Sequence, residues 1–135
     1  RNFDAPYLAV SIKDFWRRWH ISLSSFLRDY LYIPLGGNRK GQFRKYLNLL
    51  LTFLASGMWH GVGLHFVFWG GLHGVYQIAG DLLQQCLPQK MTRSSHPALQ
   101  LIRIMRTFLL TSFAWIFFRA DSLQQQRVNT RCYFL

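Results

Sequence analysis

The chain has 135 residues, half of them hydrophobic and 17% aromatic, which excludes a low-hydrophobicity disordered chain. Sixteen Lys and Arg stand against five acids, all Asp, for a net charge of +11, so the partner is anionic: a nucleic acid or the inner face of a membrane. Charge segregation decides between them. Residues 46–80 contain no Lys, Arg, Asp or Glu. That run is long enough to cross a hydrocarbon core of ~30 Å once, or to enter and return as two short helices. A soluble nucleic-acid-binding module would scatter its charge through such a stretch. The composition therefore predicts an all-α, multi-span membrane protein that does not bind nucleic acid.

Residues 1–9 read as a loop with Pro6 at a turn. Residues 11–33 have a helical period. On a 100°-per-residue wheel, Trp16, Trp19, Leu23, Phe26, Leu27, Tyr30 and Leu31 share one face. Asp14, Arg17, Arg18, Ser25, Arg28 and Asp29 share the other, which predicts one amphipathic helix lying in the membrane interface. His20 falls inside the apolar stripe. Pro34 and the Gly36, Gly37, Asn38 turn end this element. Arg39, Lys40, Arg44 and Lys45 follow, and the positive-inside rule sets them on the cytoplasmic side.

Within residues 46–80, a helix to Met58 is interrupted by the glycines of residues 57–63 and resumes from Leu64 to Ile78. Lys45 precedes the pair and Lys90 and Arg93 follow it, which favours a hairpin or re-entrant segment over a single crossing. Gly57 and Gly61, and again Gly70 and Gly74, are four apart, the small-xxx-small spacing of close helix pairs. Residues 84–97 read as a polar loop, residues 99–118 as a transmembrane helix, and the tail from Ser122 as polar. Cys86 and Cys132 have neither metal nor redox spacing, so they read as free thiols. No secretory signal pattern opens the chain, which reads as an internal piece of something longer.

His60, between Trp59 and Gly61 in the uncharged run, is the sharpest candidate for chemistry. An ionisable group at membrane depth faces protein or a water-filled cavity. Helix-breaking glycines beside it permit a cavity lining. Those are conditions for a general base, and equally for a satisfied structural histidine or a proton-relay residue of a transporter. His65 and His73 share the run, but no pair has i,i+4 spacing and no acid lies near, so no metal is expected. Arg17, Arg18 and Arg28 could meet the phosphates of a cytosolic cofactor, although topology alone accounts for most of the basic cluster.

Residues 14–41, DFWRRWHISLSSFLRDYLYIPLGGNRKG, followed by residues 48–61, NLLLTFLASGMWHG, resemble the membrane-bound O-acyltransferase family. The bacterial branch that includes the alginate O-acetyltransferase membrane subunit is most similar, and FRADS at residues 118–122 fits it too. The resemblance implies a multi-span enzyme of the bacterial inner membrane with His60 as the catalytic residue. It sets His20 towards the same channel. In the mechanism expected from these residues, Trp59 shapes the cavity wall and Arg17 and Arg28 meet the donor phosphates. The resemblance further implies an acyl thioester donor (acetyl-CoA or an acyl carrier) and a hydroxyl acceptor on a polysaccharide. A periplasmic acyltransferase partner, and a runner-up donor carrying a D-alanyl or longer acyl group, come from the same resemblance.

Overall fold

The computed structural model describes residues 2–132, with side chains to residue 119 apart from Thr92. Every regular element among these residues is helical. A 3-10 turn at Pro6–Leu8 leads into α1 (Ile12–Arg18) and α2 (Ile21–Leu27), and a π-helical turn follows at Arg28–Tyr32. The long helices are α3 (Gln42–His60), α4 (Leu64–Cys86) and α6 (Pro97–Cys132), with the short α5 (Gln89–Thr92) before the last.

Ser11 caps α1 by accepting from the Asp14 amide at 3.1 Å, and the Asp14 carboxylate accepts from the Val10 amide at 3.2 Å. Both satisfy donors that a helix start leaves open. The single helix expected over residues 11–33 is divided. His20 is left-handed, at φ 43°, and separates α1 from α2. The physical reason is non-local. The Asp4 amide donates to the Arg18 carbonyl at 2.9 Å, and the Ile21 amide donates to the Asn2 carbonyl at 3.0 Å. The Asn2 side chain also accepts from the Ser22 amide at 3.2 Å. A continuous helix would need these same backbone groups for its own ladder. The N-terminal segment takes them and holds a non-glycine residue in a conformation that costs roughly 1–2 kcal/mol.

α3 and α4 form an antiparallel hairpin, turned by Gly61 to Gly63. Lys45 and Asp81, the charges that bracket the uncharged run, meet at its open end: Lys45 Nζ lies 2.6 Å from Asp81 Oδ2. Tyr46 Oη donates to the same oxygen at 2.9 Å. Between these ends the helices touch backbone to backbone. A Cβ on Gly57 would lie 2.2 Å from the Phe66 carbonyl oxygen, and one on Gly70 would lie 2.3 Å from that of Phe53. Asn48, fully buried in α3, fastens the preceding turn by donating to the carbonyls of Leu35 and Gly37 at 3.1 and 3.2 Å.

α4 extends past the expected boundary to Cys86, where the thiol is exposed and free; Cys132 lies beyond the described side chains. The predicted polar loop at residues 84–97 is thus partly helix, and α6 begins at Pro97. Its segment Pro97–Arg119 is long and apolar enough to cross a membrane. Thr107 and Thr111 sit buried on it because their hydroxyls donate to the carbonyls of Arg103 and Thr107, both at 2.9 Å. The core is aromatic: Phe15 and Trp16 of α1, Phe53 of α3 and Trp69 of α4, closed by Ala114 of α6.

Candidate active site

His60 is the last residue of α3, and its ring is held from both sides. On one side Nδ1 lies 2.6 Å from the Ser56 carbonyl oxygen, one turn back. A carbonyl only accepts, so Nδ1 carries a proton. In the neutral ring the lone pair then resides on Nε2. On the other side the ring stands edge-on to Trp69 (centroids 5.2 Å) and to Phe118 (5.9 Å). Gly61 makes room for this arrangement, since a Cβ there would strike the Phe66 ring at 2.3 Å, and Phe66 in turn packs on Phe118 at 4.9 Å. His60 is partly buried. Trp59, expected as a wall of the site, is 66% exposed, and its ring meets that of His60 edge-on with centroids 5.4 Å apart.

His20 stands at the break between α1 and α2, partly buried, with Nδ1 enclosed and unpartnered among the described residues. Its ring meets Phe3 edge-on at 6.3 Å. A run of ring contacts leads from its neighbour Trp19 to Trp115 (5.3 Å), on to Trp69 (5.6 Å), and so to His60. The two histidines are therefore brought to one aromatic assembly.

The candidate arginines stand apart from this assembly: Arg17 and Arg28 are exposed and Arg18 is partly buried. Arg28 pairs with the adjacent Asp29 at 2.8 Å, and the hydrogen bond between them holds the carboxyl below and the guanidinium above their ordinary pKa values. Arg18 is engaged by Asp14 at 3.1 Å. Among the described residues no three His, Cys, Asp or Glu side chains converge on one point.

The sequence reading missed the environment of His73, which is fully buried between α1 and α4 and accepts a hydrogen bond from Trp16 Nε1 at 3.3 Å. The available signal was the i,i+4 spacing of Trp69 and His73, which sets both on one face of α4.

The sequence model of the membrane-bound O-acyltransferase family matches residues 1–119. A peptidoglycan O-acetyltransferase of Helicobacter pylori is 47% identical over 124 residues, covering 91% of this chain and 23% of that protein. A probable alginate O-acetylase of Pseudomonas putida is 47% identical over 123 residues, covering 90% of this chain and 24% of the relative. A teichoic acid D-alanyltransferase of Bacillus subtilis is 27% identical over 124 residues, covering 87% and 31%. The chain thus spans about a quarter of the length of the first two relatives. The family match runs from the N-terminal segment with α1 and α2, through the hairpin that ends α3 on His60, to the apolar part of α6: the chain belongs to the membrane-bound O-acyltransferase family.

Proposed function

We propose that this chain is the histidine-bearing part of a multi-span O-acetyltransferase of the bacterial inner membrane. The parent protein moves an acetyl group from a cytosolic thioester donor, acetyl-CoA or an acyl carrier, towards a hydroxyl of an envelope polysaccharide. The observation that carries the reading is the bond from His60 Nδ1 to the Ser56 carbonyl, which leaves Nε2 as the basic nitrogen. Nε2 takes the proton of the acceptor hydroxyl as its oxygen attacks the thioester carbonyl. The tetrahedral adduct then collapses, the carbon–sulfur bond breaks, and the thiolate leaves with the proton from His60. The imidazolium formed between these steps is stabilised by the Ser56 carbonyl and by the negative end of α3, whose C-terminal residue is His60. Trp69 and Phe118 fix the ring plane. His20, reached through the same assembly, orients the acceptor or relays its proton.

The acetyl donor is favoured over a D-alanyl donor by identity: 47% to the two O-acetyl-transferring relatives against 27% to the D-alanyltransferase. Arg17, exposed on α1, is the better of the two arginines for donor phosphates, because Arg28 is already paired with Asp29. A periplasmic acyltransferase that receives the acetyl group completes the proposal.

The test is glycan O-acetyl content in cells expressing the full-length parent or its His60→Ala variant at equal membrane level. A general base contributes typically ~10²–10⁴-fold, so acetylation should fall by at least about 100-fold. Unchanged acetyl content would overturn the assignment and direct attention to a proton-flux assay.

A further inference from the structure

The mechanism uses His60 and His20 but leaves His73, fully buried within the uncharged run, without a task. It has no exposed surface, so it cannot meet substrate. Its surroundings are specific. Trp16 Nε1 donates to its Nδ1 at 3.3 Å, from a residue 57 positions away in sequence. An indole N–H only donates, so Nδ1 must be the unprotonated nitrogen. A doubly protonated ring would set one N–H against the other and lose the bond, so the contact selects the neutral ring with its proton on Nε2. The His73 ring also meets Trp69 edge-on at 5.0 Å, and Trp69 meets His60 at 5.2 Å. Trp16 lies one turn before the break at His20. The Trp16 to His73 bond is therefore a side-chain fastening between the segment that carries His20 and the helix whose Trp69 abuts His60.

The geometry points to His73 as a positioning residue for acyl transfer. Its Nδ1 anchors Trp16, and through Trp69 the pair fixes His60 relative to the His20 segment. This rests on the reading of His60 as the general base. The role is distinct from filling space, because it requires an acceptor at the Nδ1 position and not merely a ring. Asn offers an oxygen at that place; Leu fills the volume without one.

The experiment uses the full-length parent in membranes, with rates normalised to protein level and melting temperatures recorded for each variant. His73→Leu and Trp16→Phe should each lower kcat by roughly 10–100-fold, with the KM for the acetyl thioester within about twofold of wild type, as expected for a displaced catalytic group. His73→Asn should recover most of kcat. The double variant should be no slower than His73→Leu, because both changes remove one interaction. Wild-type kcat in His73→Leu, multiplicative losses in the double variant, or His73→Asn no better than His73→Leu would each overturn the proposal. His60→Ala separates the two levels. An inactive His60→Ala beside a fully active His73→Leu refutes positioning alone. An active His60→Ala refutes the general base, and the positioning role with it.

Discussion

Gly70→Ala tests the hairpin on which the site is built. The added Cβ would lie 2.3 Å from the Phe53 carbonyl oxygen, 3.1 Å from its carbon and 3.2 Å from the Gly57 Cα. All three are backbone atoms of α3, so no side chain can move aside. Carbon and carbonyl oxygen approach to about 3.3–3.6 Å at closest, so α3 and α4 must part locally by about 1 Å. Overpacking of this kind costs about 1–3 kcal/mol. The separation falls between Trp69 and His60, and a misplacement of about 1 Å at a reacting group costs on the order of 10²-fold in rate. The control is Gly80→Ala on the same helix, where a Cβ meets nothing within 4 Å. There the helix gains about 0.8–1 kcal/mol of intrinsic propensity. Full-length parent with each change is purified in detergent, and its melting temperature and acetyl-transfer rate are measured. Gly70→Ala should melt lower and transfer roughly 100-fold slower than wild type, and Gly80→Ala should match or exceed wild type in both. Equal stability of the two variants would refute the close-approach reasoning.

Three further outcomes follow from the same packing. Asn48→Ala removes the donor from the Leu35 and Gly37 carbonyls and should destabilise by about 1–3 kcal/mol, read as a lower melting temperature. The Lys45–Asp81 clasp lies just outside the uncharged run. Burial raises the Asp81 carboxyl, but hydrogen bonds from Lys45 and Tyr46 outweigh it and leave it below its ordinary 3.8, while the bond to Asp81 lifts Lys45 above 10.5. The lowered acid stabilises the fold above its unfolded pKa and loses that as pH falls through the folded value; the raised base loses its share as pH rises through its own. The melting-temperature gap between wild type and Asp81→Asn should therefore be constant from about pH 5 to 9 and shrink on either side. Gly61→Ala, whose Cβ would strike the Phe66 ring at 2.3 Å, should slow transfer more than Trp59→Ala, which removes one edge contact with His60 at 5.4 Å from a side chain that is 66% exposed; equal losses in kcat would contradict this ranking.

What could be read in advance was what lies in local pattern. The uncharged run is bounded by Lys45 and Asp81, and a hairpin is the arrangement in which those two charges meet. Gly57 and Gly70 were legible as close-approach positions because only a missing Cβ admits the opposite backbone. The break at His20 was not legible. Apolar period runs through it unbroken, and the residues that cause it, Asn2 and Asp4, belong to a segment whose contacts no wheel contains. The orientation of His60 was hidden for a related reason. It is set by the Ser56 carbonyl and by Trp69 and Phe118 of two other helices, and only the first is local. His73 could be placed on a packing face, but its partner stands 57 residues away.

These failures have a common physical root. The hairpin brings large rings to His60 only because small residues let the backbones meet. Gly57 and Gly70 draw α3 and α4 together, so that Trp69 reaches the end of α3 where His60 sits. Gly61 then gives up its own side chain to Phe66, which carries Phe118 of α6 to the other side of the imidazole. A histidine at a helix terminus, with one nitrogen tied to the preceding turn and its faces confined by rings from two other helices, has little rotamer freedom left to lose when it takes a proton. If His60 is the base proposed above, much of the orientation it requires is built during folding, and substrate binding need only supply the hydroxyl and the thioester.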